Sequence, residues 1–392
     1  MTLPIVIIGS GFAAYQLVKA LRRQNNEIEI CIITADSGDD YNKPDLSHVF
    51  SKNQSVADVI NTTAAEFAVQ YKVRLITKTR VNEIDGFNKF IIAGEHKISY
   101  SKLVLATGAT PFIPVIKGNT AQRLLTLNSL QEFAACQEQI TSAHSVLVIG
   151  GGLIGVEIAL DLANAGKQVT LVEPSPQLMP RQLPEYVALA LQKNLAQHNI
   201  EIKTACTVST IELEAVLDTN DNTTKHAKMS VLLSNNQRLQ VDQVIVCAGL
   251  KPNTQLAAQS NIKTEHGICV DAHLQTSIKD IYSLGDCAQF EGVVRAYLQP
   301  ILISANALAK TLLDAPSAVN LPNIMIKVKT PTYPIQIGGV TCSNEINRWV
   351  FDVQTEGIIA KAYNEQQKLI GFVVTAEKTA QAFPLLRELS QA

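Results

Sequence analysis

The stretch SVLVIGGGLIGVEIALDLAN, residues 145–164, decides how the rest of the chain is read. Ser145 to Ile149 is an apolar run of strand length, three glycines follow, and a helix runs on through Asn164 to a stop at Gly166. Val169 to Val172 is the next strand and ends in Glu173. A glycine turn between a strand and a helix presents free backbone N–H groups to a pyrophosphate, and a carboxylate about 20 residues further on suits a ribose 2′-hydroxyl. Glu173 fills that place. It repels a 2′-phosphate, and residues 174–180 bring no cation before Arg181, so NADH is expected over NADPH.

A second pattern of this kind stands near the N-terminus. GSGFAA, residues 9–14, follows the run Ile5 to Ile8 and opens a helix from about Gly11 to Arg23, with a strand from Ile28 to Thr34 behind it. Gly9 allows the tight turn, Gly11 lets a pyrophosphate approach the backbone, and Ala14 still permits close helix–strand packing. Gly150, Gly152 and Gly155 take the corresponding positions in the other copy. Asp36, just past the second strand, is the candidate ribose acid. Taken alone, residues 9–14 also fit an ordinary tight turn between strand and helix. Together the two copies point to a protein that passes electrons between two nucleotides.

Composition agrees. A chain of 392 residues is too long for one ordinary core, and 46% hydrophobic against 17% charged residues gives well-filled ones. A net charge of −2 makes no case for nucleic acid. Met1-Thr2-Leu3-Pro4 runs straight into a strand, which leaves no room for a signal peptide; the membrane-like stretch 146–165 holds four glycines, Glu157, Asp161 and Asn164 and reads as strand plus helix. No membrane association is expected. The seven cysteines (31, 136, 206, 247, 269, 287, 342) form no Cys-x-x-Cys, mostly sit in strand-like company, and suggest a reducing cytoplasm without a dithiol relay. His266, Cys269 and His273 match no common zinc spacing, so no metal is expected.

Three later segments separate the two nucleotide sites. The strand Tyr100 to Leu105 runs into Ala106-Thr107-Gly108, and Gln243 to Cys247 ends in Ala248-Gly249 with Lys251-Pro252-Asn253 behind it. IYSLGDCA, residues 281–288, closes a strand on Gly285-Asp286, where a carboxylate can accept hydrogen bonds from a polyol such as a ribityl chain; the plain alternative for Asp286 is a helix N-cap.

The ordered set GSGFAA, LATGATP, GGGLIGVE, CAGLKPN and IYSLGDCA resembles the pyridine nucleotide-disulfide oxidoreductase superfamily along nearly the whole chain. Without a redox disulfide it resembles the branch that reduces iron–sulfur or rubredoxin-type carriers. IVIIGSGFAAYQLVK (5–19), ADSGDDYNKPDLSHV (35–49) and KVKTP (327–331) are similar to the flavorubredoxin reductases of bacterial nitric oxide detoxification.

The resemblance implies an α/β fold with two Rossmann-like domains and a small C-terminal α+β domain. FAD would lie in a discontinuous domain (1–108 and 245–319), NADH in an inserted one (109–244), and 320–392 would form the last. It also implies FAD contacts from Lys43, Pro44, Ala106, Thr107, Gly108, Gly285, Asp286, Gln299 and Pro300, and an NADH contact from Gly249. The helix Ile301 to Leu313, with Pro300 in its first turn, would point its start at the flavin. In the C-terminal domain, strand-like runs 324–328, 348–353, 357–362 and 369–375 precede a helix from Glu377 to Leu389, with a hairpin turn at 364–367; the polar run 218–228 reads as a loop.

Three further residues are expected to act at the reacting centre. Glu157 on an apolar helix needs a partner and would lie beside the nicotinamide. Relatives carry Lys where this chain has His48, so a His48–Glu157 interaction tunable near neutral pH is expected, with an exposed loop histidine as the alternative. Lys329, on one face of a strand with Lys327, either offsets reduced-flavin charge, meets the partner, or is simply solvated. The implied partner is flavorubredoxin or another rubredoxin-type carrier, whose usual acidity would suit a basic patch drawn from Lys43, Lys52, Arg295, Lys327, Lys329 and Arg348; the chain itself is expected to be a monomer or weak dimer. A rubredoxin or ferredoxin reductase, or a flavin-based NADH sensor, remains open as an alternative.

Overall fold

The computed structural model describes residues 3–118, 123–217 and 224–391. Its contacts divide the chain into two units, one of Met1–Lys43, Ala57–Thr110 and Leu250–Leu321, the other of Pro44–Val56, Pro111–Gly249 and Pro322–Ala392. Among the described residues no helix is long and apolar enough to cross a membrane.

The first unit is built on a five-stranded parallel sheet in the order Ile281–Ser283, Lys102–Leu105, Ile5–Ile8, Ile30–Ile33, Arg74–Ile76. A parallel sheet covered on both faces needs strands that are apolar throughout, and every residue of Ile5–Ile8 and Ile30–Ile33 is buried. Alternation sends Ile5, Ile7, Ile30 and Ile32 into the core containing Leu17 and Leu21 of the helix Phe12–Gln24 and Leu308 of the helix Leu298–Leu312. Val6, Ile8, Cys31 and Ile33 join a second core with Val81, Ile84 and Ile91 from the antiparallel sheet Val81–Asp85, Phe90–Ala93, His96–Ser99.

The second unit repeats the plan with a four-stranded sheet, Ile200–Lys203, Gln168–Val172, Ser145–Ile149, Gln243–Val246, all parallel. Val208–Leu217, Thr224–Leu233 and Arg238–Val241 form an antiparallel sheet whose Ile211, Val231 and Leu233 share a core with Leu147 and Ile149. The loop expected over 218–228 does not include residues 224–228. Residues from Thr224 onward belong to a ten-residue strand held by backbone pairing with Val208–Leu217, while 218–223 lie outside the described residues.

The C-terminal part of this unit is a five-stranded antiparallel sheet in the order Met325–Val328, Ile335–Gly339, Leu369–Thr375, Gly357–Tyr363, Arg348–Gln354. The expected strands and the hairpin at 364–367 are there. Ile335–Gly339 was not anticipated, because Pro334 and two glycines frame it like a loop; burial of Ile335 and Ile337 makes it a core strand. The expected helix from Glu377 is divided. Ala376–Gln381 is 3-10 and the α-helix is Ala382–Gln391, with Pro384 in its first turn, the one place where its missing N–H costs nothing. Ala382, Leu385 and Leu389 pack on Phe372 and Val374.

Both parallel sheets have a topological switch beside their first strand, where the neighbours on either side are reached by connections running in opposite directions. The first glycine of each fingerprint sits there. A Cβ on Gly9 (φ +112°) would stand 2.2 Å from the Ala106 carbonyl oxygen, and one on Gly150 (φ +108°) 2.4 Å from that of Cys247. Gly150→Ala therefore combines left-handed backbone strain with a clash against main chain, and a loss of ~2–4 kcal/mol is expected. Gly152→Ala, whose Cβ meets nothing within 4 Å, should cost less than about 1 kcal/mol. Urea unfolding of the two variants checks the contrast, and equal midpoints would contradict it.

Candidate functional site

In the first unit the N–H groups at the start of Phe12–Gln24 have no capping side chain, and the first turn holds no acidic residue. The helix end therefore keeps its positive character. Gly11 is the N-cap, and a Cβ there would meet nothing within 4 Å. Ala14 is buried beneath the turn, as close packing requires. Ser10 Oγ donates to Thr34 Oγ1 at 2.8 Å, and the Asp36 N–H donates to the same oxygen at 3.1 Å. Thr34 thus ties the glycine turn to the loop that carries Asp36, whose side chain is exposed.

The other residues assigned to this nucleotide converge on the same strand ends. Thr107 Oγ1 donates to the Asn253 carbonyl and Asn253 Nδ2 returns a bond to the Thr107 carbonyl, both at 2.8 Å. The Asn253 N–H also donates to the Gly108 carbonyl at 3.0 Å, so Asn253 clamps the turn Ala106-Thr107-Gly108. A Cβ on Gly285 (φ +83°) would stand 2.7 Å from Ala13 Cβ, which packs the Gly-Asp turn against the helix start. Asp286 is in an ion pair with Lys43, Nζ to Oδ2 3.5 Å. Two residues far apart in sequence and expected near one flavin are neighbours. Leu298–Leu312 also starts without a side-chain cap or an acid; Pro300 is buried in its first turn and Gln299 is exposed.

The second unit offers an equivalent cradle. Gly152 caps Leu153–Asn164 with no side-chain bond and no acid in the first turn, and the position of its missing Cβ is open. Gly155 is required by contact, since a Cβ would lie 1.8 Å from the Gly150 carbonyl oxygen. Gly249 (φ +111°) faces open space. Glu173 is buried at the end of its strand and accepts from the Gly151 N–H at 2.7 Å and the Ser175 N–H at 2.9 Å. Its carboxylate braces the glycine loop. Both cradles fit a dinucleotide: glycines open where a pyrophosphate would lie, and unpaired helix N–H groups are aimed there.

Glu157, on Leu153–Asn164, is 3% exposed and fully engaged within the second unit. One carboxylate oxygen accepts from Ser47 Oγ and the other from the Lys329 backbone N–H, each at 2.7 Å. Asp161, one turn on and also buried, accepts from the Phe50 N–H at 2.9 Å, the Ser51 N–H at 3.2 Å and the Ser51 hydroxyl. These two carboxylates on one helix face hold the segment 44–56. Ser47, Asp161 and Asn253 were not singled out from sequence; the i, i+4 spacing of Glu157 and Asp161 on an apolar helix was the available signal for the first two.

His48 lies in the electrostatic field of Glu157 and Asp161, but the hydrogen bond to Glu157 comes from its neighbour Ser47. His48 Nε2 is buried with no hydrogen-bond partner. Burial holds the imidazole below its usual value; Glu157 and Asp161 pull upward while Lys329 and Lys52 push down. Lys329 lies one residue past its strand, which ends at Val328, so it does not share a strand face with Lys327. Its Nζ donates to the Pro44 carbonyl at 2.8 Å and pairs with Asp45 at 3.5 Å. Arg295 pairs with Glu291, and Arg348 lies over the Tyr363 ring, so part of the basic set expected for a partner is engaged within the chain.

Residues 3–304 match the family described as pyridine nucleotide-disulphide oxidoreductase, and 318–389 match the rubredoxin binding C-terminal domain. A protein of Aliivibrio fischeri named nitric oxide reductase FlRd-NAD(+) reductase is 51% identical, covering 100% of this chain and 99% of its own length. One of the same name from Vibrio vulnificus is 48% identical with the same coverage. Among solved structures, NADH:rubredoxin oxidoreductase from Clostridium acetobutylicum has the same fold, with a TM-score of 0.79, 22% identity and coverage of 100% and 96%. A ferredoxin reductase from Rhodopseudomonas palustris gives a TM-score of 0.85 at 24% identity, with coverage of 97% and 92%.

Because the folded state binds the His48 proton less tightly than the unfolded chain, stability should fall as pH drops below about 6.5. His48→Asn should flatten that slope while leaving the pH 8 stability less affected; an unchanged slope between pH 5 and 6.5, by the measure of denaturant midpoints, would contradict the assignment. Ser47→Ala removes one donor from a buried carboxylate, and a loss of ~1–3 kcal/mol is expected in the same assay.

Proposed function

The chain belongs to the pyridine nucleotide-disulphide oxidoreductase family, and from that premise we propose that it is an FAD-dependent enzyme taking hydride from NADH and passing electrons singly to the rubredoxin centre of a flavorubredoxin, in support of nitric oxide reduction. The observation that carries this reading is the pair of equivalent dinucleotide cradles in a chain whose seven cysteines are all free and scattered. Electrons brought by one nucleotide to the other then have no dithiol to pass through and leave from the flavin.

Residues 1–108 and 245–319 form the FAD-binding part in this reading, 109–244 the NADH-binding part, and 320–392 the part that meets the carrier. Gly9, Gly11 and Ala14 seat the FAD pyrophosphate, Asp36 its ribose, and Ala106-Thr107-Gly108 and Gly285-Asp286 the rest of the molecule. Lys43 pairs with Asp286 and orients that carboxylate as an acceptor. The start of Leu298–Leu312 would turn the uncapped N–H groups of Leu298 and Gln299 toward negative charge on the flavin, while Pro300, which has no N–H to give, fixes the first turn. Gly150, Gly152, Gly155 and Gly249 hold NADH, and Glu173 accepts from its ribose.

FAD, when bound, supplies the chemistry that accepts a hydride and releases single electrons. The protein supplies orientation and charge. Glu157, fixed by Ser47 and the Lys329 N–H, is held in one position on the helix that starts at the NADH cradle. Lys329 closes the same junction through Pro44 and Asp45, and its ammonium sets a positive charge beside His48.

The test compares NADH-driven reduction of a flavorubredoxin, a rubredoxin, a ferredoxin and dioxygen. The rubredoxin-type carriers should be reduced fastest; slow turnover with all four would favour a sensor and overturn the proposal. Glu173→Gln should raise KM for NADH about tenfold, the equivalent of about 1.4 kcal/mol, and narrow the preference over NADPH. An unchanged ratio of kcat/KM for the two nucleotides would remove Glu173 from the ribose site.

A further inference from the structure

Sheet edges in proteins are ordinarily blunted by shortness, proline, lysine or a bulge, because an unpaired row of N–H and C=O groups is a template for another strand. In the C-terminal sheet the edge Met325–Val328 follows that rule, with four residues that include Lys327. The opposite edge, Arg348–Gln354, does not. It has seven residues, RWVFDVQ, with no proline or lysine, and pairs with Gly357–Tyr363 in an unbroken register from Arg348↔Tyr363 to Gln354↔Gly357. Val350, Phe351 and Val353 are 41%, 38% and 49% exposed. Aromatic contacts run along it: the Trp349 and Phe351 rings stack at 6.0 Å, and Phe351 meets Tyr186 at 5.6 Å.

The charges on this strand say what covers it. Arg348 and Asp352 lie symmetrically about Val350. Asp352 takes hydrogen bonds from Gln354 Nε2 at 3.0 and 3.2 Å, and the Arg348 guanidinium stays beside the strand over the Tyr363 ring at 5.2 Å. We propose that this edge is an interface between two copies of the chain, paired antiparallel about a two-fold axis at Val350. Arg348 then faces the partner's Asp352, Trp349 faces the partner's Phe351, and each contact occurs twice, as an isologous interface requires. A shift of one residue would set Val350 against the partner's Asp352 and Arg348 against the partner's Gln354, leaving both charges unmatched. With one charge of each sign, the strand offers no excess of positive charge to an acidic carrier, and that favours a second copy over a carrier as its occupant.

Light scattering or sedimentation of the full-length, FAD-loaded protein over micromolar concentrations tests this. The mass should rise with concentration from the 42.6 kDa of one chain toward twice that value. Arg348→Asp and Asp352→Arg each place like charges opposite one another and should hold the mass at one chain, as should Val350→Lys on its exposed position. The double variant Arg348→Asp/Asp352→Arg should restore the doubling. A wild-type protein that stays at one chain throughout, or a dimer untouched by the single reversals, would overturn the proposal. So would a monomeric wild type whose single reversals slow electron transfer to a rubredoxin-type carrier, because the edge would then belong to the carrier.

Discussion

Everything around the two cradles depends on one steric fact, the approach of a glycine to a main-chain carbonyl at the switch point of a parallel sheet. At Gly9 the carbonyl is that of Ala106, and at Gly150 it is that of Cys247. Each belongs to the residue just beyond the neighbouring strand, Lys102–Leu105 or Gln243–Val246. The contact lets the turn drop between two strand ends, and the following helix then starts directly over the crevice with its N–H groups unspent. A side chain at either first glycine would lift the turn out of the crevice. A side chain at the second glycine, Gly11 or Gly152, would instead fill the space left for a ligand. The same few residues therefore fix the backbone and keep the site open.

A second constraint is the burial of two carboxylates on the helix Leu153–Asn164. Glu157 and Asp161 sit among apolar neighbours, where an unpaired charge would be costly. Their donors come from Ser47, Phe50, Ser51 and the Lys329 N–H, and this need draws the segment 44–56 and the start of the C-terminal region onto one helix face. The helix that starts at the second glycine cradle is thus hydrogen-bonded to the region that matches the rubredoxin binding C-terminal domain. His48 is carried along beside the carboxylates without bonding Glu157.

The parts legible in the sequence were those set by short-range pattern. The strand Ser145–Ile149, its helix and Glu173 stand where the spacing put them, and so do the turn at 364–367 and all four expected C-terminal strands to within a residue. Long-range pairings were not legible. Asn253 clamps Thr107 across a large sequence separation, and Ser47 reaches Glu157 in the same way; no local periodicity encodes either. The strand Ile335–Gly339 was hidden by flanking Pro334, Gly338 and Gly339, whose loop preference is overridden by pairing on both sides. Lys329 was placed on the wrong footing because alternation holds only while a strand lasts, and this one stops at Val328.

The central claim is that two look-alike cradles have different occupants, FAD at Gly11 and NADH at Gly152. It is tested most directly by placing a carboxylate in each open space in turn, as Gly11→Glu and Gly152→Glu, where neither side chain meets protein atoms at its Cβ. The measurement is bound flavin by absorbance, followed by its bleaching with NADH. The account predicts that Gly11→Glu is purified folded but without flavin, and that Gly152→Glu keeps its flavin and loses the bleaching. A Gly152→Glu protein that loses its flavin, or a Gly11→Glu protein that keeps it, would contradict the account.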